Sequence, residues 1–279
     1  MDQANKDRSY LEKAISAAVR AGARILEIYN QPDVKTGYKE DHSPLTEADT
    51  ASHLVLKEVL SVCQLPILSE EGQHASYEER SSWADFWLID PLDGTREFIK
   101  RNDEFTVNVA LIRHGSPVIG VVYVPVPGHL YFASDAVGSF KAHCEFTGQD
   151  QWPDLKEWIE RAEKLPSSST KKYTILASRS HRNQETELFI KQLEKEYGDI
   201  SVVSRGSALK FCSMAEGNAD IYPRFAPTME WDTAAGQCVA MNAGCSVTRK
   251  DTGATLTYNK ADLLNPWFIV KRPVEQDPT

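Results

Sequence analysis

The apolar run Trp87-Leu88-Ile89 leads without a break into Asp90-Pro91-Leu92-Asp93-Gly94-Thr95. That junction restricts what can hold it. The apolar residues call for a buried strand, yet the strand's exit carries two carboxylates. Proline cannot donate to a ladder, so the strand is expected to end at Asp90. Asp93, Gly94 and Thr95 then read as a turn and a helix start. Carboxylates at a strand exit that opens onto backbone N–H groups can hold a hard cation beside a phosphate. Alone, the same residues also read as an ordinary turn with an Asp cap.

The pattern recurs upstream. Leu65-Pro66-Ile67-Leu68-Ser69 is a short apolar run that ends in Glu70-Glu71-Gly72. If the two strands lie side by side, Glu70 comes near Asp90 and Asp93. Three carboxylates at one place repel, so they are either far apart or neutralised by a cation. Thr46 and Asp49 have the spacing of a helix-capping box, and Asp232 stands near another helix start. Capping accounts for each of these on its own.

Leu11, Ile15, Val19, Gly22, Leu26 and Tyr29 recur at helical spacing, which predicts an amphipathic first helix. Four β-rich runs then follow: Phe105–Ile112, Pro117–Val124, His129–Ala133 and Gly138–Ala142. Separated by Gly, Ser and Pro, they predict an antiparallel meander. A polar stretch around residues 149–170 includes a helix near Asp154–Lys164 and a serine run, read as a solvated linker. The domain boundary is therefore placed at about residue 150, with domains 1–150 and 151–279. Beyond it strands and helices alternate: Tyr173–Ala177, Glu185–Tyr197, Ile200–Val203, Ala208–Glu216, Asp220–Tyr222 and a helix from Trp231 to about Asn242. Such alternation predicts an α/β layer. Three of its strand exits carry Ser178-Arg179-Ser180-His181, Ser204-Arg205-Gly206-Ser207 and Tyr222-Pro223-Arg224, which together suggest one anion-binding rim.

A formal charge of −9 argues against a general nucleic-acid binder but not against a small anionic substrate, because bound divalent cations reverse the local sign. The five cysteines are scattered without a C-x-x-C pair, the pattern of reduced, buried thiols in a cytoplasmic protein. No signal peptide is visible, and no window approaches the ~20 apolar residues of a membrane span.

Several blocks together resemble the signatures of the inositol monophosphatase superfamily: Glu70-Glu71, Asp90-Pro91-Leu92-Asp93-Gly94-Thr95 and Trp231-Asp232-Thr233-Ala234-Ala235-Gly236. Further stretches are most similar to its CysQ-type 3′(2′),5′-bisphosphate nucleotidases: Asp93 to Asn102, Ser178 to His181, Leu209 to Cys212, Ala215 to Gly217 and Tyr222 to Phe225. The resemblance implies a layered αβαβα sandwich, an α/β fold whose N-terminal part is α+β, with the site between its two parts. It implies Glu70, Asp90, Asp93, Asp232 and the Leu92 carbonyl as metal ligands. Asp49 and Thr95 would orient the attacking water, with Glu71 nearby, while the backbone N–H groups of Gly94 and Thr95 hold the scissile phosphate. His181, Ser207, Lys210 and Arg224 would hold the nucleotide and its second phosphate, alongside the ligand-bearing residues. The family often has a second serine where this chain has Ala208.

The implied activity is Mg²⁺-dependent hydrolysis of the 3′-phosphate of adenosine 3′,5′-bisphosphate, or of its 5′-phosphosulfate analogue, in sulfur assimilation. Two or three Mg²⁺ ions would serve, with inhibition by Li⁺ and Ca²⁺. An all-oxygen ligand set suits Mg²⁺, and phosphoryl transfer needs positioning and charge neutralisation more than a covalent nucleophile. A cytoplasmic location is expected, with peripheral membrane association and a monomer or homodimer both left open. Inositol monophosphate and fructose 1,6-bisphosphate are the alternative substrates. A haloacid-dehalogenase-type phosphatase is disfavoured, because its second Asp follows two residues after the first and here the spacing is three. A catalytically silent anion-binding protein is the non-enzyme alternative.

Overall fold

The computed structural model describes residues 2–32, 36–38, 44–146, 148, 152–178 and 183–273. Helix α1 (Gln3–Tyr29), strands β1 (Thr36–Tyr38) and β2 (Pro44–Thr46), helix α2 (Glu47–Ser61), β3 (Ile67–Ser69), α3 (Tyr77–Arg80), β4 (Asp85–Asp93) and α4 (Thr95–Ile99) lead in that order into the meander. Its strands are β5 (Thr106–Arg113), β6 (Ser116–Val124), β7 (His129–Ser134) and β8 (Gly138–His143). Then come α5 (Leu155–Arg161), β9 (Glu163–Lys164), β10 (Thr174–Ser178), α6 (Gln184–Tyr197), β11 (Ser201–Arg205), α7 (Leu209–Glu216), β12 (Ile221–Arg224), α8 (Glu230–Asn242), β13 (Ser246–Arg249) and β14 (Phe268–Lys271).

Strands β3 to β9 form a seven-stranded sheet in sequence order. Its β4 to β9 neighbours pair antiparallel, as the predicted meander requires, and β3 joins β4 in parallel. The second sheet has the order β11-β10-β12-β14-β13, with β10, β11 and β12 parallel. β1 and β2 make a separate antiparallel pair.

Side-chain alternation turns these sheets into layers. Trp87, Ile89, Val107, Val109 and Leu111 face α1 and α2 in one hydrophobic cluster. Phe86, Leu88, Ala110, Ile112 and Val122 point the other way, onto α7 and α8. Residues of α7 and α8 also pack on Leu176, Tyr222, Phe268 and Val270 of the second sheet, whose far face meets Ile190 and Leu193 of α6. The sequence of layers is therefore α, β, α, β, α, as expected. Because α8 is covered on both sides, nearly all of its residues are buried.

The serine run is exposed but tied down: Ser168 Oγ donates to the Glu216 carbonyl at 2.9 Å, and the Ser168 N–H reaches the same carbonyl. All five cysteines are free thiols, and only Cys63 is partly exposed. No helix among the described residues is long and apolar enough to cross a membrane.

Candidate active site

Strand β3 pairs in parallel with β4, Ser69 lying opposite Ile89, so Glu70 and Asp90 leave the sheet side by side. The proline does not end β4 as the sequence suggested. Pairing skips Pro91 and Leu92 and resumes at Asp93, opposite Thr106. This irregularity has a chemical use. Residues three apart on a regular strand point to opposite faces, whereas the bulged register brings Asp90 and Asp93 to the same cavity. Asp232 reaches it from the first turn of α8, where its Oδ2 also accepts the Met229 N–H at 2.9 Å.

Carboxylate oxygens of Glu70, Asp90 and Asp232 lie within 4.8 Å of one another, a grouping able to hold a metal ion. Burial pushes the Asp90 carboxyl well above the usual range, and Glu70, Asp93 and Asp232 push it further in the same direction. Asp232 is likewise raised by burial and by Asp93 and Glu70. Asp93 is raised by burial, against the pull of Ser207, Lys210 and Asn108. Such mutual repulsion fits a site completed by a cation.

Asp49 performs two tasks at once. Its Oδ2 accepts the Thr46 N–H at 2.7 Å and the Thr46 hydroxyl at 2.6 Å, which caps α2. Its Oδ1 accepts the Thr95 hydroxyl at 3.1 Å. Thr95 Oγ1 also lies 3.4 Å from the Leu92 carbonyl, so Asp49 stands behind the cavity wall and Thr95 on it. Gly94 occupies the left-handed region at φ +94°, as the turn between β4 and α4 requires. Glu71 is half-buried in the same loop as Glu70 but does not line the cavity.

The parallel strands β10, β11 and β12 end on the opposite wall, and β11 and β12 leave β10 on either side. Crevices at such a reversal of strand order are where ligands bind in α/β sheets. Ser178, Ser207, Lys210 and Arg224 line the cavity here. Lys210 is buried, and its ammonium donates to the Ser207 carbonyl at 2.6 Å. Burial, with Arg224 nearby, brings the Lys210 pKa down to about 8. Arg224 donates to the Pro227 carbonyl at 2.9 Å, while its buried Nε has no hydrogen-bond partner in the structure.

The rim differs from the expectation at Arg205, which turns away from the cavity, half exposed, towards Glu104 at 3.5 Å. The cavity takes Gly206 and Ser207 from beyond the end of β11 instead, where Ser207 has left the strand conformation at φ +49°. Arg179, Ser180 and His181 lie outside the described residues. Tyr222, part of the predicted rim, lines the cavity, whereas sequence reading missed Glu97 and Thr228, which also line it. Glu97 belongs to the Asp93–Asn102 stretch, but nothing in its spacing says that it faces inward.

The sequence profile of the inositol monophosphatase family matches residues 6–275. The chain belongs to this family. It is 42% identical over 264 residues to the 3′(2′),5′-bisphosphate nucleotidase CysQ of Salmonella typhimurium, a match covering 93% of the chain and 98% of the relative. The like-named protein of Haemophilus influenzae is 33% identical over 93% of the chain and 91% of its own length. The crystal structure of CysQ from Bacteroides thetaiotaomicron, a bacterial family member, superposes with a TM-score of 0.88 at 47% identity, covering 95% and 97% of the two chains. The inositol monophosphatase from Anabaena shares the fold, with a TM-score of 0.66 at 24% identity over 94% and 90% of the chains. As a family member this chain is a phosphatase, and its signature blocks converge on the cavity just described.

Proposed function

We propose that this chain is a Mg²⁺-dependent 3′(2′),5′-bisphosphate nucleotidase that hydrolyses adenosine 3′,5′-bisphosphate to AMP and phosphate. One observation carries the reading. A single cavity joins the Glu70, Asp90 and Asp232 carboxylates to two buried cations, Lys210 and Arg224. A monophosphate needs the first half only; the second half suits another anionic group. The names of the CysQ relatives support the same substrate class.

In this mechanism Glu70, Asp90, Asp93, Asp232 and the Leu92 carbonyl hold the metal. When bound, Mg²⁺ neutralises these oxygens and the scissile phosphate and acidifies a water. Asp49 fixes the Thr95 hydroxyl, so the pair orients the attacking water and takes its proton, with Glu71 as a neighbouring acid. Gly94 and Thr95 offer backbone N–H groups to the scissile phosphate, and Ser207, Lys210 and Arg224 bind the remainder of the nucleotide. His181 belongs to the same proposed set by its position in the sequence motif.

Phosphate release from adenosine 3′,5′-bisphosphate, inositol 1-phosphate and fructose 1,6-bisphosphate, measured side by side with Mg²⁺, tests the reading. The nucleotide should be preferred by at least about tenfold in kcat/KM, the scale of one charged hydrogen bond. Activity should disappear on chelation and fall with Li⁺ or Ca²⁺. A wide preference for inositol 1-phosphate or fructose 1,6-bisphosphate refutes the assignment.

A further inference from the structure

Glu104 lies between the two walls of the cavity without lining it, and neither motif nor resemblance assigned it a role. Its carboxylate Oε2 accepts the Gly206 N–H at 2.8 Å. Its main-chain carbonyl touches both walls: a Cβ on Gly94 would sit 3.1 Å from it, and one on Gly206 3.0 Å. Glu97 Cγ closes the other side of Gly206, 3.1 Å from the same Cβ position. The turn after β4 and the turn after β11 thus pack against one residue.

Glu104 is itself firmly held. Asn102 Oδ1 accepts its N–H at 3.1 Å, and the Tyr29 hydroxyl donates to Asp103 at 2.8 Å. Phe105 is fully buried, with its ring against Tyr29 and Phe98. Arg101 and Asp103 keep φ values of +52° and +67°, conformations that persist at non-glycine residues only where the surroundings determine them. From this anchor the contacts run straight to the substrate wall. Gly206 precedes Ser207, whose hydroxyl donates to the Asp93 carbonyl at 3.0 Å and meets Thr106 Oγ1 at 2.7 Å. The Ser207 carbonyl in turn holds the Lys210 ammonium.

We propose that Glu104 is a positioning residue that fixes the Gly206–Lys210 segment against the Asp93–Thr95 turn, and so sets the preference for a substrate with a second anionic group over a monophosphate. This rests on the reading of Lys210 and Arg224 as ligands of that second group. Displacing Gly206 moves the Lys210 ammonium relative to the carboxylates, which costs affinity for a ligand that spans both. A monophosphate engages the carboxylate side alone and does not register the shift.

The test compares the wild type with Glu104→Ala, which removes the acceptor, and Glu104→Gln, which keeps an oxygen for the Gly206 N–H. Kinetics with adenosine 3′,5′-bisphosphate and inositol 1-phosphate are paired with backbone hydrogen exchange over residues 205–210. The alanine variant should raise KM for the bisphosphate about tenfold, the scale of one hydrogen bond to a charged group, with kcat within about threefold. Its kcat/KM for inositol 1-phosphate should stay within about threefold, and exchange over 205–210 should accelerate by about tenfold or more. Glutamine should restore all three. An unchanged KM, an equal loss on both substrates or unaltered exchange in the alanine variant would each overturn the proposal. Where the alanine variant does not fold, Glu104→Asp, which draws the acceptor back by one methylene, enters the same comparison. A wild type that itself prefers inositol 1-phosphate refutes the substrate assignment, while exchange and glutamine rescue still decide the positioning role.

Discussion

Asp90→Asn is expected to abolish turnover while making the metal-free protein more stable to heat. Asparagine has the shape of aspartate, and its Oδ1 can go on accepting the Leu92 N–H that Asp90 accepts at 3.1 Å. What it lacks is charge. A carboxylate that shares a divalent cation supplies several kcal/mol of transition-state stabilisation, so kcat should fall by at least about 10³-fold. Without metal the same charge is a burden, because Asp90 is buried and the groups acting on it, Glu70, Asp93 and Asp232, are all acidic.

The sign of the pH dependence follows. Below the reference value of 3.8, Asp90 is protonated in both folded and unfolded protein, and aspartate and asparagine should be nearly equivalent. As pH rises the unfolded chain releases its proton first, since the folded-state pKa is the higher one, and the wild type loses stability until the folded-state value is passed. The melting-temperature advantage of Asp90→Asn in chelator should therefore be absent at acid pH and grow as pH rises from the unfolded-state value towards the raised folded-state one. Each ~1 kcal/mol of relieved repulsion is worth roughly 2–4 °C. Added Mg²⁺ should reverse the order, because a cation that binds only the folded state contributes about 2.7 kcal/mol at a hundred times its Kd and the variant binds it poorly. Calorimetric melts of both proteins, with and without Mg²⁺ across this pH range, measure the crossover. Retained turnover in Asp90→Asn would remove Asp90 from the site.

These carboxylates were legible in the sequence because the signal is local. An apolar run ending in acids occurs twice, and parallel pairing of β3 with β4 is all that is needed to join Glu70 to Asp90. The five layers came from the family resemblance rather than from any local pattern, and the unbroken burial along β4 and β5 is what cover on both faces produces. What was hidden depends on register or on distant partners. The bulge at Pro91 and Leu92 converts the i, i+3 spacing of Asp90 and Asp93 from opposite faces to one, and a proline alone does not say whether a strand stops or skips. The Thr46–Asp49 spacing revealed the cap, but the second oxygen of Asp49 meets Thr95, which no local pattern connects to it. Arg205 looked like a rim cation by composition but is drawn to Glu104 outside the cavity. Glu104 carries no motif, because its role lies in contacts with Gly94 and Gly206 that only the packed layers create.

Lys210→Met should separate recognition from chemistry. Methionine fills nearly the same buried volume and removes only the ammonium, which sits at the Ser207 carbonyl and faces the cavity. A hydrogen bond to a charged group is worth about 1.5–3 kcal/mol, so KM for adenosine 3′,5′-bisphosphate should rise roughly 10- to 150-fold with little change in kcat. Inositol 1-phosphate, which has no second phosphate to lose, should be turned over almost as before. Lys210 also makes a pH prediction possible. Its pKa of about 8 reflects burial and Arg224 pressing it down, with Asp93, Glu97 and Glu104 pulling it up. In the free enzyme the ammonium is present below that value and lost above it, so KM for the bisphosphate should be flat at lower pH and climb on the alkaline side. Metal on Asp93 cancels part of the upward pull, which places the break at or below about 8. The climb should be absent in Lys210→Met, whose KM is high throughout, and kcat should not follow it in either protein. Steady-state kinetics from pH 6 to about 9.5, on both sides of the Lys210 pKa, read this directly. An alkaline rise that survives in Lys210→Met would assign the titration to another group, and an unchanged KM would shift recognition of the second phosphate to Arg224, the other buried cation among the described residues of the cavity.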